Sequence, residues 1–228
     1  MTNLHYEFTG ETTVNRVGLT LHRIRATRDL PHFGVKTGDE GGWIEHTGNL
    51  SGEAWVDDEA QVSGGAEVYG NAWVFGEARV SSRAKVFGTA KVFGSAQVFD
   101  SSEVFGTAKV FDSSEVFGTA KVFGNAQVFG SAQVFDSSEV PNDAHIESNA
   151  DYFHAVTYTS TPLLLTLTRQ KADKHLIRMG YWSGTIDEFE DLITQPKRLE
   201  TVFKGSYEAR PEMEILASLM RARIERWK

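Results

Sequence analysis

An aliphatic residue recurs at every sixth position from Ile44 to Ile146, and this period restricts the fold more than any other feature of the sequence. A small residue, most often alanine, precedes each aliphatic residue by two positions. Glycine or aspartate follows most of them by two positions, and both suit tight corners. A short fixed period of this kind is typical of solenoids, in which consecutive coils of the chain stack on one another. The sequence therefore predicts a β-solenoid over residues 42–149.

Charged residues on the outside of the repeat indicate how many strands make one coil. Side chains alternate between the two faces of a strand, so the residue before each aliphatic position faces outward. With three strands and 18 residues in a coil, one outward rank consists of Asn49, Glu67, Lys85, Glu103, Lys121 and Glu139. Each lysine then lies between two glutamates, whereas a 12-residue coil would place Glu103 against Glu115. We therefore predict a three-sided parallel β-helix of about six 18-residue coils.

Phenylalanine directly follows most of the aliphatic residues and is predicted to face outward. The 18-residue spacing sorts these side chains into three ladders that run along the β-helix. Their phenylalanines are Phe75, Phe87, Phe93, Phe99, Phe105, Phe111, Phe117, Phe123, Phe129 and Phe135. The rings either stack between coils or form the interface with a second copy or a partner, and the two roles are compatible. Trp55 and Trp73, in a further outward rank, belong to the same candidate interface.

Residues 1–41 are predicted to form an N-terminal β cap. Both ends of a solenoid expose unpaired strand edges, which native proteins cover. Residues 6–8 and 17–26 have the pattern of paired strands, with Gly10 as a break after the first. Gly41 and Gly42 then lead into the first coil.

Residues 150–228 differ in composition from the repeat and are predicted to form a small α+β domain. Three strands are expected, from alternation over residues 152–158 and from apolar runs at 163–167 and 175–179. Thr185 and Glu188 form a capping-box pattern that begins a helix. A second helix is predicted from Pro211 to Trp227.

The composition narrows the function classes further. The chain contains no cysteine, which excludes disulfides, thiolate metal sites and thiol catalysis. We expect a cytoplasmic protein, because the sequence shows no N-terminal export segment and no apolar run that approaches a membrane span. The net charge of -8 disfavours broad binding to nucleic acids. Neither a cofactor nor a membrane partner is predicted.

Four segments carry a resemblance to a known family: residues 21–26 (LHRIRA), 41–45 (GGWIE), 68–72 (VYGNA) and 183–189 (SGTIDEF). Together they resemble the hexapeptide-repeat proteins that tailed phages and prophages encode. The resemblance implies a left-handed β-helix, a phage origin and a location in the cytoplasm of the host cell. Proteins of this group are often labelled transferases, because left-handed β-helix acyltransferases share the repeat.

The repeat offers little for catalysis. Acyltransferases of this repeat class place a catalytic histidine beside a loop that interrupts the coils, whereas the six-residue phase here never slips. We therefore predict no catalytic residue, and no metal site, because the three-histidine spacing of β-helix carbonic anhydrases is absent. The alternative is an acyltransferase-like enzyme that uses His145, His154 or His175 at a subunit or domain junction.

Two groups of basic residues are candidate anion-binding sites. One contains Arg23 and Arg25 in the N-terminal cap. The other, in the C-terminal domain, consists of Arg169, Lys171, Lys174 and Arg178. Each group could bind an anionic partner or a nucleotide. The alternative is a solvated strand face whose charge the excess of carboxylates neutralises.

The sequence thus favours a non-enzymatic phage or prophage accessory protein. We predict a homo-oligomer, a trimer or a dimer, that acts as a scaffold and binds a host protein or a nucleotide ligand. Such a scaffold would inhibit or sequester a component of antiviral defence. Two alternatives are the acyltransferase-like enzyme and a structural component of the virion.

Overall fold

The computed structural model describes residues 4–157, 162–204 and 209–227 of the 228-residue chain. The chain divides into two compact units, Met1–Asn142 and Asp143–Lys228. The first unit contains the predicted N-terminal cap and nearly all of the repeat, and the second contains the predicted α+β domain. Tyr158, the last residue of the alternating segment 152–158, lies outside the described residues.

The first unit begins with three antiparallel strands. Strand β1 (Tyr6–Val14) pairs with β2 (Thr20–Ala26), which pairs with β3 (Glu40–Ile44). The predicted cap strands are therefore confirmed. Gly10 does not end the first strand: the register of β1 against β2 shifts between Phe8 and Thr12, where Gly10 has φ 93°. Glycine allows this irregularity because it has no Cβ to oppose a positive φ.

The repeat folds into strands of two residues, an outward residue followed by an inward valine. They are β4 (Trp55–Val56), β5 (Gln61–Val62), β6 (Glu67–Val68), β7 (Trp73–Val74), β8 (Arg79–Val80), β9 (Lys85–Val86), β10 (Lys91–Val92), β11 (Gln97–Val98), β12 (Glu103–Val104), β13 (Lys109–Val110), β14 (Glu115–Val116), β15 (Lys121–Val122), β16 (Gln127–Val128), β17 (Gln133–Val134) and β18 (Glu139–Val140). Strand β19 (His145–Ile146), the last of the series, lies in the second unit.

Parallel pairing of each strand with the third strand along the chain produces the three faces of the β-helix. One sheet has the order β1-β2-β3-β5-β8-β11-β14-β17, the next contains β4-β7-β10-β13-β16, and the third β6-β9-β12-β15-β18. In the third sheet Glu103 is in register with Lys85 and Lys121, and its carboxylate lies 3.6 Å from the Lys121 ammonium. The alternating charges, the three-sided left-handed coil and the number of about six coils are thereby confirmed.

The interior of the coils is a column of valine and alanine. Val62, Val80 and Val98 succeed one another in the first sheet, and each is completely buried. The corners have left-handed backbone conformations, at glycines and also at aspartates such as Asp112, with φ 59°. The Asp112 carboxylate accepts a hydrogen bond of 3.2 Å from the Gly130 N–H on the following coil, which explains why aspartate replaces glycine there.

One residue of the predicted outward rank turns inward. Asn49 ends a single 3₁₀ turn, Thr47–Asn49, instead of lying in a strand, and its side chain is buried. Its Oδ1 accepts hydrogen bonds from the N–H groups of Glu45 and His46. Its Nδ2 donates to two backbone carbonyls on the next coil. The Asn49 amide thus provides hydrogen-bond partners for the backbone groups of the first corner, where the cap replaces a regular turn.

The second unit contains an antiparallel sheet with helices on one face. Its strands are β20 (Tyr152–Thr157), β21 (Leu163–Arg169), β22 (His175–Met179) and β23 (Trp182–Gly184), paired in this order. The helices are α1 (Ile186–Thr194), α2 (Pro196–Val202) and α3 (Arg210–Glu225). Among the described helices, none is long and apolar enough to cross a membrane.

The predicted α+β character of this unit is confirmed, and the structure adds one strand and one helix to the three strands and two helices expected. Strand β23 has three residues, and α2 has a single buried side chain, Leu199. Elements this short show no apolar period in the sequence. The core between sheet and helices contains Leu165, Ile177, Phe189 and Met213, among others.

Candidate binding surfaces

The outward phenylalanines form the three ladders that the spacing predicts. Consecutive rings in a ladder are nearly parallel, with centroids between 4.8 Å (Phe75 and Phe93) and 5.5 Å (Phe117 and Phe135) apart. The first ladder is Phe99, Phe117 and Phe135, the second is Tyr69, Phe87, Phe105 and Phe123, and the third is Phe75, Phe93, Phe111 and Phe129. All of these rings are half-buried, because each covers part of its neighbours. The rings therefore stack between coils, and an additional interface role stays a prediction.

Of the two tryptophans in the candidate interface, only one reaches the surface. Trp73 is half-buried and lies against Phe75, 4.3 Å between centroids. Trp55, in contrast, is completely buried, with the ring of His5 6.3 Å away. The prediction that Trp55 lies on an outer interface is wrong, because the N-terminal segment covers the first coil at this position.

A cleft beside the first sheet was not foreseen from the sequence. The turn at Asn15–Val17, between β1 and β2, faces the outward residues of β5, β8 and β11 across a space of about 290 Å³. Its lining includes Gln61, Arg79 and Gln97, which lie in register on three consecutive coils. The 18-residue spacing places these three residues in one rank, but no spacing indicates that the β1–β2 turn lies over them.

The predicted N-terminal anion site is already occupied by carboxylates of the chain. Arg23 donates to Glu59 at 2.9 Å, lies 3.9 Å from Glu40 and stacks over the Trp43 ring. Arg25 donates to Glu7 at 2.7 Å. Because both guanidinium groups hold intramolecular partners, this geometry favours the alternative of a neutralised strand face.

The four basic residues of the C-terminal unit do not converge. Arg169 donates to the buried Asp151 carboxylate at 3.1 Å. Lys171 and Lys174 are exposed in the turn between β21 and β22. Arg178 lies further along β22, in register with Thr166. The structure therefore places only the two lysines together.

The candidate catalytic histidines do not form one site. His154 is in register with Thr166 on β21, whereas His175 is in register with Arg169, so the two side chains leave opposite faces of the sheet. His145 lies on the short strand β19. The described ranges contain no group of three histidine, aspartate or glutamate side chains able to hold a metal ion.

His175 has a structural role in this unit. Its Nε2 accepts a hydrogen bond of 2.9 Å from the Ile186 N–H, at the first residue of α1. Burial lowers the pKa of His175, the Asp187 carboxylate opposes this shift and Arg221 adds to it. The neutral ring thus caps the helix together with Thr185.

Comparison with known proteins does not extend these observations. No protein family matches the sequence, and no curated protein matches it significantly. The function is therefore argued from the surfaces of this chain itself, namely the aromatic ladders and the cleft at the β1–β2 turn.

Proposed function

We propose that this chain is a non-enzymatic scaffold that binds a partner through the outer faces of its β-helix. The observation that carries the proposal is the contrast between the inside and the outside of the coils. Valines such as Val98 and Val104 fill the interior and are completely buried. The outside carries three continuous aromatic ladders on a backbone that consecutive coils hold rigid. Ordered apolar surface of this kind is typical of an interaction site.

The contacts of three of the seven histidines, among them the candidate His175, support a binding role over an enzymatic one. His5 donates through Nε2 to the Ala54 carbonyl at 2.8 Å. His46 accepts from the Gly48 N–H through Nδ1 and donates through Nε2 to the Gly64 carbonyl. His175 caps α1. A general base needs a ring nitrogen that can reach the substrate proton, and these nitrogens hold the backbone instead.

The proposed assembly is a homo-oligomer, a dimer or a trimer, in which ladders of neighbouring copies contact each other. The proposed setting is a phage or a prophage, and the bound partner is then a host component such as a protein of antiviral defence. The setting is supported by the resemblance at residues 41–45 and 183–189. The ladders support the assembly, because further burial of half-exposed rings is favourable.

The test compares paired substitutions on neighbouring ranks of the β-helix. Phe93→Ser with Phe111→Ser removes the centre of the third ladder, and Lys91→Ser with Lys109→Ser changes the adjacent outward rank as a control. We expect light scattering to show an oligomer for the native chain and the lysine pair, and dissociation for the phenylalanine pair. The same variants, immobilised in host lysate, show whether a captured component depends on the ladder.

Two results would overturn the proposal. One is that paired phenylalanine-to-serine variants from each of the three ladders keep the native oligomeric mass and still capture the same host component. Circular dichroism would have to confirm that these variants fold. The other is transfer of an acyl group from acyl-CoA by the native chain, with loss of this activity in His154→Ala.

A further inference from the structure

The turn between β1 and β2 forms one wall of the cleft beside the first sheet. Asn15 holds the turn in shape, because its Oδ1 accepts hydrogen bonds from the N–H groups of Val17 and Leu19. Its Nδ2 reaches the Ser63 hydroxyl at 3.5 Å. The opposite wall is the rigid outer face of three coils, so the cleft is formed before any ligand arrives.

The lining of the cleft is cationic, although the whole chain has a net charge of -8. Arg16 and Arg79 both line it, and among the described residues no aspartate or glutamate does. The Nε of Arg79 is buried and makes no hydrogen bond. Arg23 and Arg25 form ion pairs with glutamates. In contrast, no carboxylate among the described residues lies within ion-pair distance of Arg79. Guanidinium groups bind phosphates and carboxylates through paired N–H donors.

An open aromatic ring also lines the cleft. Phe99 is the first rung of its ladder and stacks on Phe117, with centroids 5.0 Å apart. On the preceding coil the equivalent position is Ser81, so no ring of this ladder covers the other face of Phe99. A planar group placed over Ser81 would continue the ladder by one rung.

Polar side chains surround the position between the ring and the arginines. Gln61 and Gln97 flank Arg79 in register, and Ser63 and Ser82 add hydroxyl groups. The Gln97 Nε2 already donates to the Glu115 carboxylate at 3.2 Å, which leaves Gln61 as the amide that can contact a ligand. Amides and hydroxyls provide both donors and acceptors, which suits the edges of a nucleobase. The volume of about 290 Å³ lies near the lower end of the range for small-molecule sites.

We propose that this cleft binds a nucleoside monophosphate. The base stacks on the open face of Phe99, the phosphate pairs with Arg79 and Arg16, and the Gln61 amide contacts the edge of the base. This inference goes beyond the proposed scaffold role, because the site is complete within one chain whether or not the ladders bind a partner.

Calorimetric titration of the full chain with the common purine and pyrimidine nucleoside monophosphates tests the proposal. At least one monophosphate is expected to bind, and its nucleoside and inorganic phosphate at least about tenfold more weakly. Arg79→Gln and Phe99→Ser should each weaken binding by about tenfold or more. Arg83→Gln and Phe135→Ser, outside the lining, should retain native affinity.

The proposal is overturned if no monophosphate binds at millimolar concentration. It is also overturned if inorganic phosphate or the nucleoside binds as tightly as the nucleotide. Equal losses in Arg79→Gln and Arg83→Gln would likewise exclude the cleft as the site. Thermal unfolding of each variant confirms that the chain is folded, and none of these outcomes depends on the oligomeric state that tests the scaffold role.

Discussion

At the scale of single residues, the outward phenylalanines stabilise the β-helix through their contacts with neighbouring coils. Phe117 stacks on Phe99 and on Phe135, whereas Phe99 stacks on Phe117 alone within its ladder. Both are half-buried and follow a buried valine. Within the ladder, these two positions therefore differ in the number of ring contacts.

We predict that Phe117→Leu destabilises the chain about twice as much as Phe99→Leu. The loss of stacking lowers the free energy of unfolding by about 1–3 kcal/mol for the first and about 0.5–1.5 kcal/mol for the second. Denaturant unfolding followed by circular dichroism measures the difference. Equal losses at the two positions would show that burial of each ring, rather than stacking, provides the stability.

The glycines at the corners are a second feature of this scale. Gly106 has φ 73°, and a Cβ at this position would lie 3.0 Å from the backbone nitrogen of Gly124 on the next coil. We predict that Gly106→Ala lowers the free energy of unfolding by about 1–3 kcal/mol, through strain and crowding together. Gly10→Ala is the control for strain alone, since Gly10 has φ 93° with no atom near its added Cβ. The corner variant should be the less stable of the two in thermal unfolding.

At the scale of elements, the start of α1 depends on a neutral histidine. Thr185 and Glu188 form the capping box that the sequence predicts, and His175 on β22 accepts the N–H of Ile186. Protonation of Nε2 would replace this acceptor by a second donor. The lowered pKa of His175 reflects its burial, against the opposing effect of Asp187.

We therefore predict that the second unit loses stability as the pH falls below about 6.5, the ordinary pKa of histidine in the unfolded chain. The lowered folded pKa means that the unfolded state binds the proton first, so the contribution of His175 is complete above that pH and declines below it. The slope reaches at most about 1.4 kcal/mol per pH unit. His175→Gln is the control, because the glutamine side chain keeps a hydrogen-bond acceptor but does not titrate. If the native chain and this variant differ in free energy of unfolding by the same amount at pH 7.5 and at pH 5, the prediction is wrong.

At the scale of the whole molecule, the first unit needs its cap in order to end the β-helix. Gly41 lies where β3 meets the first coil, and an added Cβ would be 2.6 Å from the Trp55 ring and from the Val56 carbonyl. We predict that Gly41→Ala displaces the cap, lowers the free energy of unfolding by about 1–3 kcal/mol and promotes aggregation through the exposed strand edge. Static light scattering during heating measures both effects.

Gly65→Ala is the matched control for the cap. Its added Cβ would lie 3.3 Å from the nearest atom, the Ser82 carbonyl oxygen, and its φ is not positive. This variant should heat without early aggregation. If both variants aggregate alike, the cap does not protect the edge.

Most of the β-helix could be predicted, because its contacts repeat. Within the repeat, each strand pairs with the strands of the preceding and the following coil, so a spacing of 18 residues specifies its partners. The same spacing places Phe99, Phe117 and Phe135 in one ladder. The capping box of α1 does not repeat, but it is predictable because Thr185 and Glu188 are only three positions apart.

The contacts that do not repeat could not be predicted from spacing. The burial of Trp55 depends on where residues near His5 pack, 50 positions away in the chain. Asn49 turns inward because the carbonyls of Gly64 and Ala66 attract its amide at the first corner. The carboxylate partners of Arg23, Glu40 and Glu59, come from two different segments, so its charge alone could not show that the site is filled.

The sequence by itself determined the three-sided coil, the charge alternation and the ladders, because the spacing of the repeat specifies which residues are neighbours on consecutive coils. Only the tertiary structure decided which outward residues remain accessible. In the folded chain Trp55 is buried, and Arg23 is neutralised by Glu59. The turn at Asn15–Val17 lines the same cleft as Arg79 and Phe99. The physical reason is that the hairpin of β1 and β2 packs against the coils, so it brings together residues that have no fixed spacing in the sequence. The cleft that places Arg79 near the open face of Phe99 arises from that packing.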